Sequence, residues 1–468
     1  MKNEKKKNLG LLFSPRAIAV IGATNTEGRI GRIIFENLLT SGRPLFPVHP
    51  KEKEILGVRV LPSIKELPQG IDLAVIVTGA KNSVAAAVDC ARKGIPYIIV
   101  VAGGFSEIGS EGEEFENHLK EIPKKFNSRI LGPNTLGIFI PRERIDTIFV
   151  EHGDKALACG GKIAFITQSG SVGTEALGLA SNTGFGLRAF IGLGNKCDLD
   201  ELDFLNYFAE DKDSEVIALY VENLENGRKF LKAAKEASKV KPVILLKAGQ
   251  TPAGAKAVMS HTGRMAGSNE VVDGALRQFG ILRVFDDEEL CDAAKTLVMC
   301  PPAKGNRVAI ITPGGGYGVM GSDHIETSRG VARLSMAELS HSTRERIREA
   351  TLPFASCRNP VDLTASSTDK MYGAALDAVL DDNGVDIVIC TGFFSPPAVS
   401  DALIDEIAHR AAKSIKPIIA FIKYGPFTEL YLKRLYDVGV IGFPSIGRAV
   451  KAAGFLVERA KLVAAISE

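Results

Sequence analysis

Three runs of consecutive apolar residues dominate the hydrophobic pattern, and each ends in a glycine-bearing turn. They are Ala17-Ile-Ala-Val-Ile21, Lys162-Ile-Ala-Phe-Ile166 and Arg307-Val-Ala-Ile-Ile311. The turns that follow are Gly22-Ala-Thr-Asn-Thr-Glu-Gly28-Arg-Ile-Gly31, Thr167-Gln-Ser-Gly170 and Gly314-Gly-Gly-Tyr-Gly318. The runs lack polar alternation, which predicts parallel strands buried on both faces, each opening into a helix. Their starts lie about 145 residues apart, a domain-sized spacing rather than a solenoid repeat. Further buried strands are predicted at 73–77, 97–102, 129–131, 187–191, 216–221, 242–246, 385–390 and 417–422. Helical stretches such as 84–93 and 227–238 fall between them. Alternation of this kind predicts an α/β chain of three doubly wound domains. Two segments without periodicity, 151–161 and 301–305, serve as linkers and place the domains at 1–150, 151–300 and 301–468.

Composition mainly excludes. With 468 residues and a net charge of +2, the chain offers no broad basic surface for nucleic acid or membrane. Tryptophan is absent and aromatics make up only 7%, which argues against a base-stacking platform. The seven cysteines, at 90, 159, 197, 291, 300, 357 and 390, form no Cys-x-x-Cys pair and read as reduced thiols. No apolar run reaches the ~18 residues of a membrane helix, and the short run after the lysine-rich start is interrupted by Pro15. The expectation is a soluble, cytoplasmic protein.

A strand–glycine turn–helix unit aims backbone N–H groups at whatever lies over the helix start, which suits phosphate. The first turn departs from Gly-x-Gly-x-x-Gly, and the next strand ends Phe46-Pro-Val-His-Pro-Lys51. A basic end fits a phosphate-bearing ribose, as in coenzyme A or NADP, better than NAD. Neither later turn continues as a Walker sequence. The helix starts at Gln168-Ser169-Gly170 and at Gly315-Gly316 therefore suit a mobile phosphoryl group rather than a nucleotide. Ser260-His261-Thr262-Gly263 puts an imidazole in a segment with no helical or strand pattern, between Gly254 and Gly267. No metal-ligand spacing accompanies it. Its residues alone leave a nucleophile, a proton shuttle and a passive surface histidine all open. Glu222 follows the strand at 216–221, at the edge where parallel sheets bind ligands. Lys247 reads as a solvated charge at a strand end.

Taken in order, eight stretches resemble the α subunit of NDP-forming (ADP-forming) acyl-CoA synthetases, in the succinyl-CoA synthetase superfamily. They are Ala19-Val-Ile-Gly-Ala23, Phe46-Pro-Val-His-Pro-Lys51, Gly104-Phe-Ser-Glu107, Leu131-Gly-Pro-Asn134, Thr167-Gln-Ser-Gly170, Gly194-Asn-Lys196, Ser260-His-Thr-Gly263 and Asn359-Pro-Val-Asp362. The resemblance implies a Rossmann-like CoA-binding domain followed by two flavodoxin-like ligase domains. It implies an acid–thiol ligase that interconverts acyl-CoA, phosphate and ADP with acid, CoA and ATP, with His261 transiently phosphorylated and Glu222 orienting it. A carboxylate on the second ring nitrogen would hold the tautomer and strengthen the nucleophile. CoA would meet Gly22, Thr24, Gly28 and Gly31 at its diphosphate, Lys51 at a phosphate and Asn134 near its thiol. Asn195 and Lys196 would face phosphate or the acyl group. ATP or ADP with Mg2+ would sit on an ATP-grasp β subunit, in an α2β2 assembly. The chain departs from the family pattern at His49, where Asn is usual, and at Arg264-Met265, where a small or apolar pair is common. Two other functions compete with this one: a non-catalytic CoA-binding regulatory protein and an NADP-dependent oxidoreductase.

Overall fold

The computed structural model describes residues 9–150, 161–183, 186–262, 269–327, 331–392, 394 and 397–467. Two compact units emerge, Met1–Ser181 with Gly186–Leu276 and Asn182–Phe185 with Arg277–Glu468. The first unit contains two large sheets and a small antiparallel pair, Glu54–Ile55 with Val58–Arg59. Strands β1 (Ile18–Ile21), β2 (Leu45–Val48), β3 (Leu73–Ile76), β4 (Tyr97–Val100) and β5 (Arg129–Leu131) form a parallel sheet in the order β2-β1-β3-β4-β5. Every residue of β1, β3 and β4 is buried, as uninterrupted apolar runs require. Helices α1 (Ile30–Leu39), α2 (Ala80–Arg92) and α3 (Ser110–Lys125) accompany them.

The second sheet of this unit includes a hairpin that the sequence reading places within the first domain. Strands β6 (Ile138–Ile140) and β7 (Ile145–Asp146) pair antiparallel, and β6 continues antiparallel onto β9 (Leu187–Gly192). The run then passes to β8 (Ile163–Thr167), β10 (Val216–Val221) and β11 (Val243–Lys247), all parallel to β9. Chain 1–150 thus supplies one whole sheet and the edge of the next. Helices α4 (Gly170–Thr183), α5 (Glu201–Glu210), α6 (Gly227–Val240) and α7 (Pro252–Thr262) belong here. Helix α7 corrects the expectation of an irregular segment around His261. Pro252 suits a first turn, and Ala253, Ala255, Lys256 and Ala257 are helix formers; Gly254 masks the pattern.

Several contacts join the two sheets. Phe13 is buried and packs on Tyr207 and Phe208 of α5, with ring centroids 4.7 and 5.5 Å away. Arg129 on β5 donates to Asp198 at 2.9 Å and to Asp203 at 2.8 Å. Asp200 caps α5 by accepting from the N–H groups of Leu202 and Asp203, and Asp203 returns a bond to the Asp200 backbone.

The second unit is a parallel sheet in the order β13 (Ser335–Met336), β12 (Arg307–Thr312), β15 (Ile387–Gly392), β16 (Ile418–Ile422), β17 (Gly442–Phe443), with β14 (Val361–Asp362) also pairing β12. Helix α8 (Asp287–Met299) is tied to α10 (Ile446–Ser467) by Arg448, which donates to Asp292 at 2.7 and 2.8 Å. Helix α9 (Gly315–Glu326) follows the third glycine turn. Among the described residues no helix is long and apolar enough to cross a membrane.

Candidate active site

A cleft of about 760 Å3 opens over the carboxyl ends of β1, β2 and β3. Gly22, Thr24, Arg29, Gly31, His49, Lys65, Thr78 and Asn82 are among its walls. Two glycines make it possible. Gly22 adopts φ +91°, and a Cβ on Gly31 would lie 2.3 Å from the Gly22 carbonyl oxygen, so turn and helix touch through bare backbone. Arg29 is the N-cap of helix α1 and no side chain caps it; Ile30 and Gly31, the first two residues of the helix, line the cleft. Of the residues expected to meet CoA, Gly22, Thr24 and Gly31 line the cleft, whereas Gly28, Lys51 and Asn134 are not among its walls. The positive charge comes instead from Arg29 and from Lys65, which lies in a short 3-10 turn with no sequence signature.

His49 does what an asparagine would do at its position. Its Nδ1 accepts from the N–H of Lys51 at 3.3 Å and of Glu52 at 3.1 Å, so the turn after β2 closes on a ring nitrogen instead of an amide oxygen. Glu52 is thereby aimed at the first glycine turn. It accepts from the Thr24 hydroxyl at 2.6 Å, and from Asn25 through its N–H at 3.1 Å and its Nδ2 at 2.9 Å. The Thr24 hydroxyl, followed by the Asn25 groups, holds the Glu52 carboxyl below its ordinary range. The end of this strand is therefore not simply basic, as its sequence suggests.

At the second sheet, Gln168, Ser169, Gly170 and Glu222 come together. Gln168 Oε1 accepts from the N–H of Glu222 at 2.9 Å, and its Nε2 donates to Asn223 at 2.8 Å. Its side chain thus braces the strand end that carries Glu222. Thr167 donates its hydroxyl to the Ser169 carbonyl at 2.8 Å and accepts from the Ser169 N–H at 3.1 Å. The third glycine turn repeats this device: Thr312 donates to the Gly314 carbonyl at 3.0 Å and accepts from its N–H at 3.1 Å. Glu222 is buried at the end of β10. Lys247, expected in solvent, is also buried; it donates to the Glu222 carbonyl at 2.7 Å and to that of Ala248 at 2.6 Å. Its Nζ thus meets the backbone of the neighbouring strand end rather than solvent.

His261 occupies the last turn of α7, a helix lying against the turn Ser106–Ile108. Its side chain, and Gly263 through Ser268 with Arg264 and Met265, lie outside the described residues. At the turn beside α7, Asn195 Nδ2 reaches Glu107 at 2.7 Å, Glu116 at 3.0 Å and Ser106 at 3.3 Å, and its Oδ1 accepts from Asn134 at 3.3 Å. Burial opposes the Glu116 charge, but the Ser106 hydroxyl, Lys120 and Asn195 outweigh it and hold the carboxyl below its ordinary range. Glu107, which also accepts from the N–H groups of Gly104 and Phe105, is held down in the same way against burial. Sequence reasoning found Asn134 and Asn195 but gave these two glutamates no role; Glu107 enters it only within Gly104-Phe-Ser-Glu107, and the Asn195 that joins the two carboxylates lies 88 and 79 positions away along the chain.

Lys196, expected to face phosphate or the acyl group, is engaged within the protein. It is buried at φ +57° and donates to Glu201 at 2.9 Å and to the Asn223 carbonyl at 2.8 Å. The neighbouring Cys197 thiol is pushed well up by burial and by the charges of Asp198 and Glu116, which leaves it no nucleophilic character near neutral pH. Gly315 and Gly316 open α9 in the second unit, where a Cβ on Gly315 would lie 2.7 Å from Asp362 Oδ2.

Comparison with known proteins assigns each part. Residues 16–141 match a CoA binding domain, 160–297 a succinyl-CoA ligase like flavodoxin domain, and 308–462 a Ligase-CoA domain. The α subunit of acetate–CoA ligase (ADP-forming) II from Pyrococcus furiosus is 36% identical over 97% of this chain and 98% of its own length. The chain belongs to the α-subunit family of ADP-forming acetate–CoA ligases. A second member, the isozyme I α subunit of the same organism, is 35% identical over 97% of this chain and 98% of its own. The dinucleotide forming acetyl-coenzyme A synthetase 1 of Ca. Korarchaeum cryptofilum, solved with phosphate and ADP, superposes with a TM-score of 0.88 at 31% identity, covering 98% of each chain. Family membership makes the three-domain α/β fold and the cleft of the first domain parts of one ligase architecture.

Proposed function

We propose that this chain is the catalytic α subunit of an ADP-forming acyl-CoA synthetase. It interconverts acyl-CoA, phosphate and ADP with acid, CoA and ATP through an acyl phosphate and a phosphohistidine. The observation that carries this reading is the cleft in the segment that matches a CoA binding domain, where turn and helix meet through Gly22 and Gly31. The cleft fits CoA: bare helix N–H groups suit a diphosphate, and Arg29 and Lys65 supply the countercharge. Functionally, 1–150 binds CoA, 151–300 carries the phosphohistidine segment, and 301–468 adds the second ligase domain. Phosphate attacks the thioester carbonyl, CoA leaves as thiolate and takes a proton, and acyl phosphate forms. One ring nitrogen of neutral His261 then attacks phosphorus; the P–O bond to the acyl group breaks and the carboxylate departs. Glu222, held by the Gln168 brace, accepts the N–H of the other ring nitrogen and stabilises the charged ring. The helix start at Ser169-Gly170 offsets the phosphoryl charge with N–H donors. The phosphoryl group passes to ADP on an ATP-grasp β subunit, where Mg2+ would screen the nucleotide's phosphates; an α2β2 assembly supplies that partner.

The test is phosphoryl capture. The chain with its β subunit is incubated with γ-labelled ATP and the label is mapped. Acid-labile, base-stable phosphate on residue 261, lost in His261→Asn and formed about 10–100-fold more slowly in Glu222→Gln, is the expected result. CoA binding with no labelled histidine and no turnover would reduce the chain to a CoA-binding protein, whereas full turnover by His261→Asn would remove His261 from the mechanism. Preference for NADP over CoA in a direct binding comparison would favour an oxidoreductase.

A further inference from the structure

The cleft's first turn presents donors that an anionic ligand would use, and a side chain of the protein already holds them. The Thr24 hydroxyl, the Asn25 N–H and Asn25 Nδ2 all converge on Glu52. Thr24 and His49 both stand in the cleft wall, and the two N–H bonds to His49 Nδ1 turn the chain so that Glu52 faces the turn. The start of α1, by contrast, carries no side-chain cap. Two sets of donors therefore border the cleft: the helix start carries no side-chain cap, and at the turn, where Thr24 is a wall residue and Asn25 and Glu52 lie beside the walls, the donors are held by a tethered negative charge.

We propose that Glu52 sets which anionic ligand the cleft takes, its carboxylate competing with a phosphate of CoA for the donors of Thr24 and Asn25. This rests on the reading of the cleft as a CoA site. Two anions at this solvent-exposed turn repel one another and compete for the same N–H. A ligand phosphate either displaces Glu52 or is confined to the helix start beside Arg29. Ligands without phosphate escape the competition. Glu52 thereby loosens the grip on CoA, which a ligase must release in each turnover, without altering the shape of the cleft.

The experiment is titration calorimetry on the whole chain, comparing wild type, Glu52→Gln and Glu52→Ala with CoA, 3′-dephospho-CoA and pantetheine at fixed ionic strength. Glutamine keeps the shape and an acceptor oxygen but removes the charge. Both variants are expected to bind CoA about five- to tenfold more tightly, the effect of one unit charge about 4 Å from another in a setting close to bulk water, with less gain at high salt. Pantetheine binding is expected to be unchanged, and dephospho-CoA shows which phosphate meets the turn. Glu52→Gln binding CoA equally or more weakly than wild type overturns the proposal, because Glu52 would then be a bystander or a brace. Tighter binding of pantetheine as well would also overturn it, since the effect would not be one of charge. A wild-type chain that binds no CoA sinks the CoA reading itself, and this inference with it.

Discussion

Replacing Lys196 by methionine separates a substrate-binding lysine from a buried structural one. The side chains of Lys196 and Glu201 are 0% and 3% exposed, and Nζ lies 2.9 Å from Glu201 Oε2. Methionine fills the space of the stem but leaves the Glu201 carboxylate buried without its cation and the Asn223 carbonyl without its Nζ donor. Removing one partner of a buried pair costs about 3–5 kcal/mol, since the remaining charge keeps its desolvation penalty. The placement of Glu201 in the first turn of α5 softens this, because the helix dipole favours a negative charge there. At roughly 2–4 °C per kcal/mol for a unit of this size, the first unfolding transition should fall by roughly 6–20 °C. Scanning calorimetry of the single variant and of Lys196→Met/Glu201→Met checks it. The double variant should recover most of the loss, because no unpaired charge remains. Steady-state kinetics with the β subunit, corrected for folded protein, should show little change in KM for the acid. A variant that melts within about 2 °C of wild type while KM for the acid or phosphate rises tenfold would refute the argument and return Lys196 to the substrate.

Gly31→Ala places a methyl 2.3 Å from the Gly22 carbonyl oxygen, so α1 must move away from the turn. Overpacking of this kind costs about 1–3 kcal/mol, and CoA affinity measured by calorimetry should fall by about tenfold or more. Burial and the charges of Glu201 and Asp203 push Asp200 up to about 6 from an ordinary 3.8. A carboxyl raised on folding contributes stability that is full below its unfolded value and is lost as pH rises through its folded one. The difference in unfolding free energy between wild type and Asp200→Asn should therefore shift against wild type between pH 4 and 6; urea titrations that show no such trend would contradict the assignment.

The strands were legible because parallel sheets buried on both faces leave uninterrupted apolar runs, as in Leu73-Ala-Val-Ile76 and Val216-Ile-Ala-Leu219. The glycine turns were legible because backbone-to-backbone approach leaves no room for a Cβ. Other features had no local signal. The helix around His261 was hidden by Gly254, and the hairpin Ile138–Asp146 reads like part of the first domain although it pairs with the second sheet. Lys196 reads as a ligand-facing charge and Lys247 as a solvated one until their partners, Glu201 with the Asn223 carbonyl and the Glu222 carbonyl, are seen.

From its residues alone the chain declares alternating buried strands and helices, three glycine turns that can face phosphate, and one histidine in a small-residue setting. Those features are local: periodicity, backbone freedom and residue chemistry act within a few positions of one another. Tertiary structure alone decided which charges are spent. It brought Glu52 onto Thr24 and Asn25, Glu116 onto Asn195, and Lys196 onto Glu201. Whether a charged side chain faces a ligand or another side chain depends on what lies across the fold, and electrostatic pairing at about 3 Å carries no trace in sequence spacing.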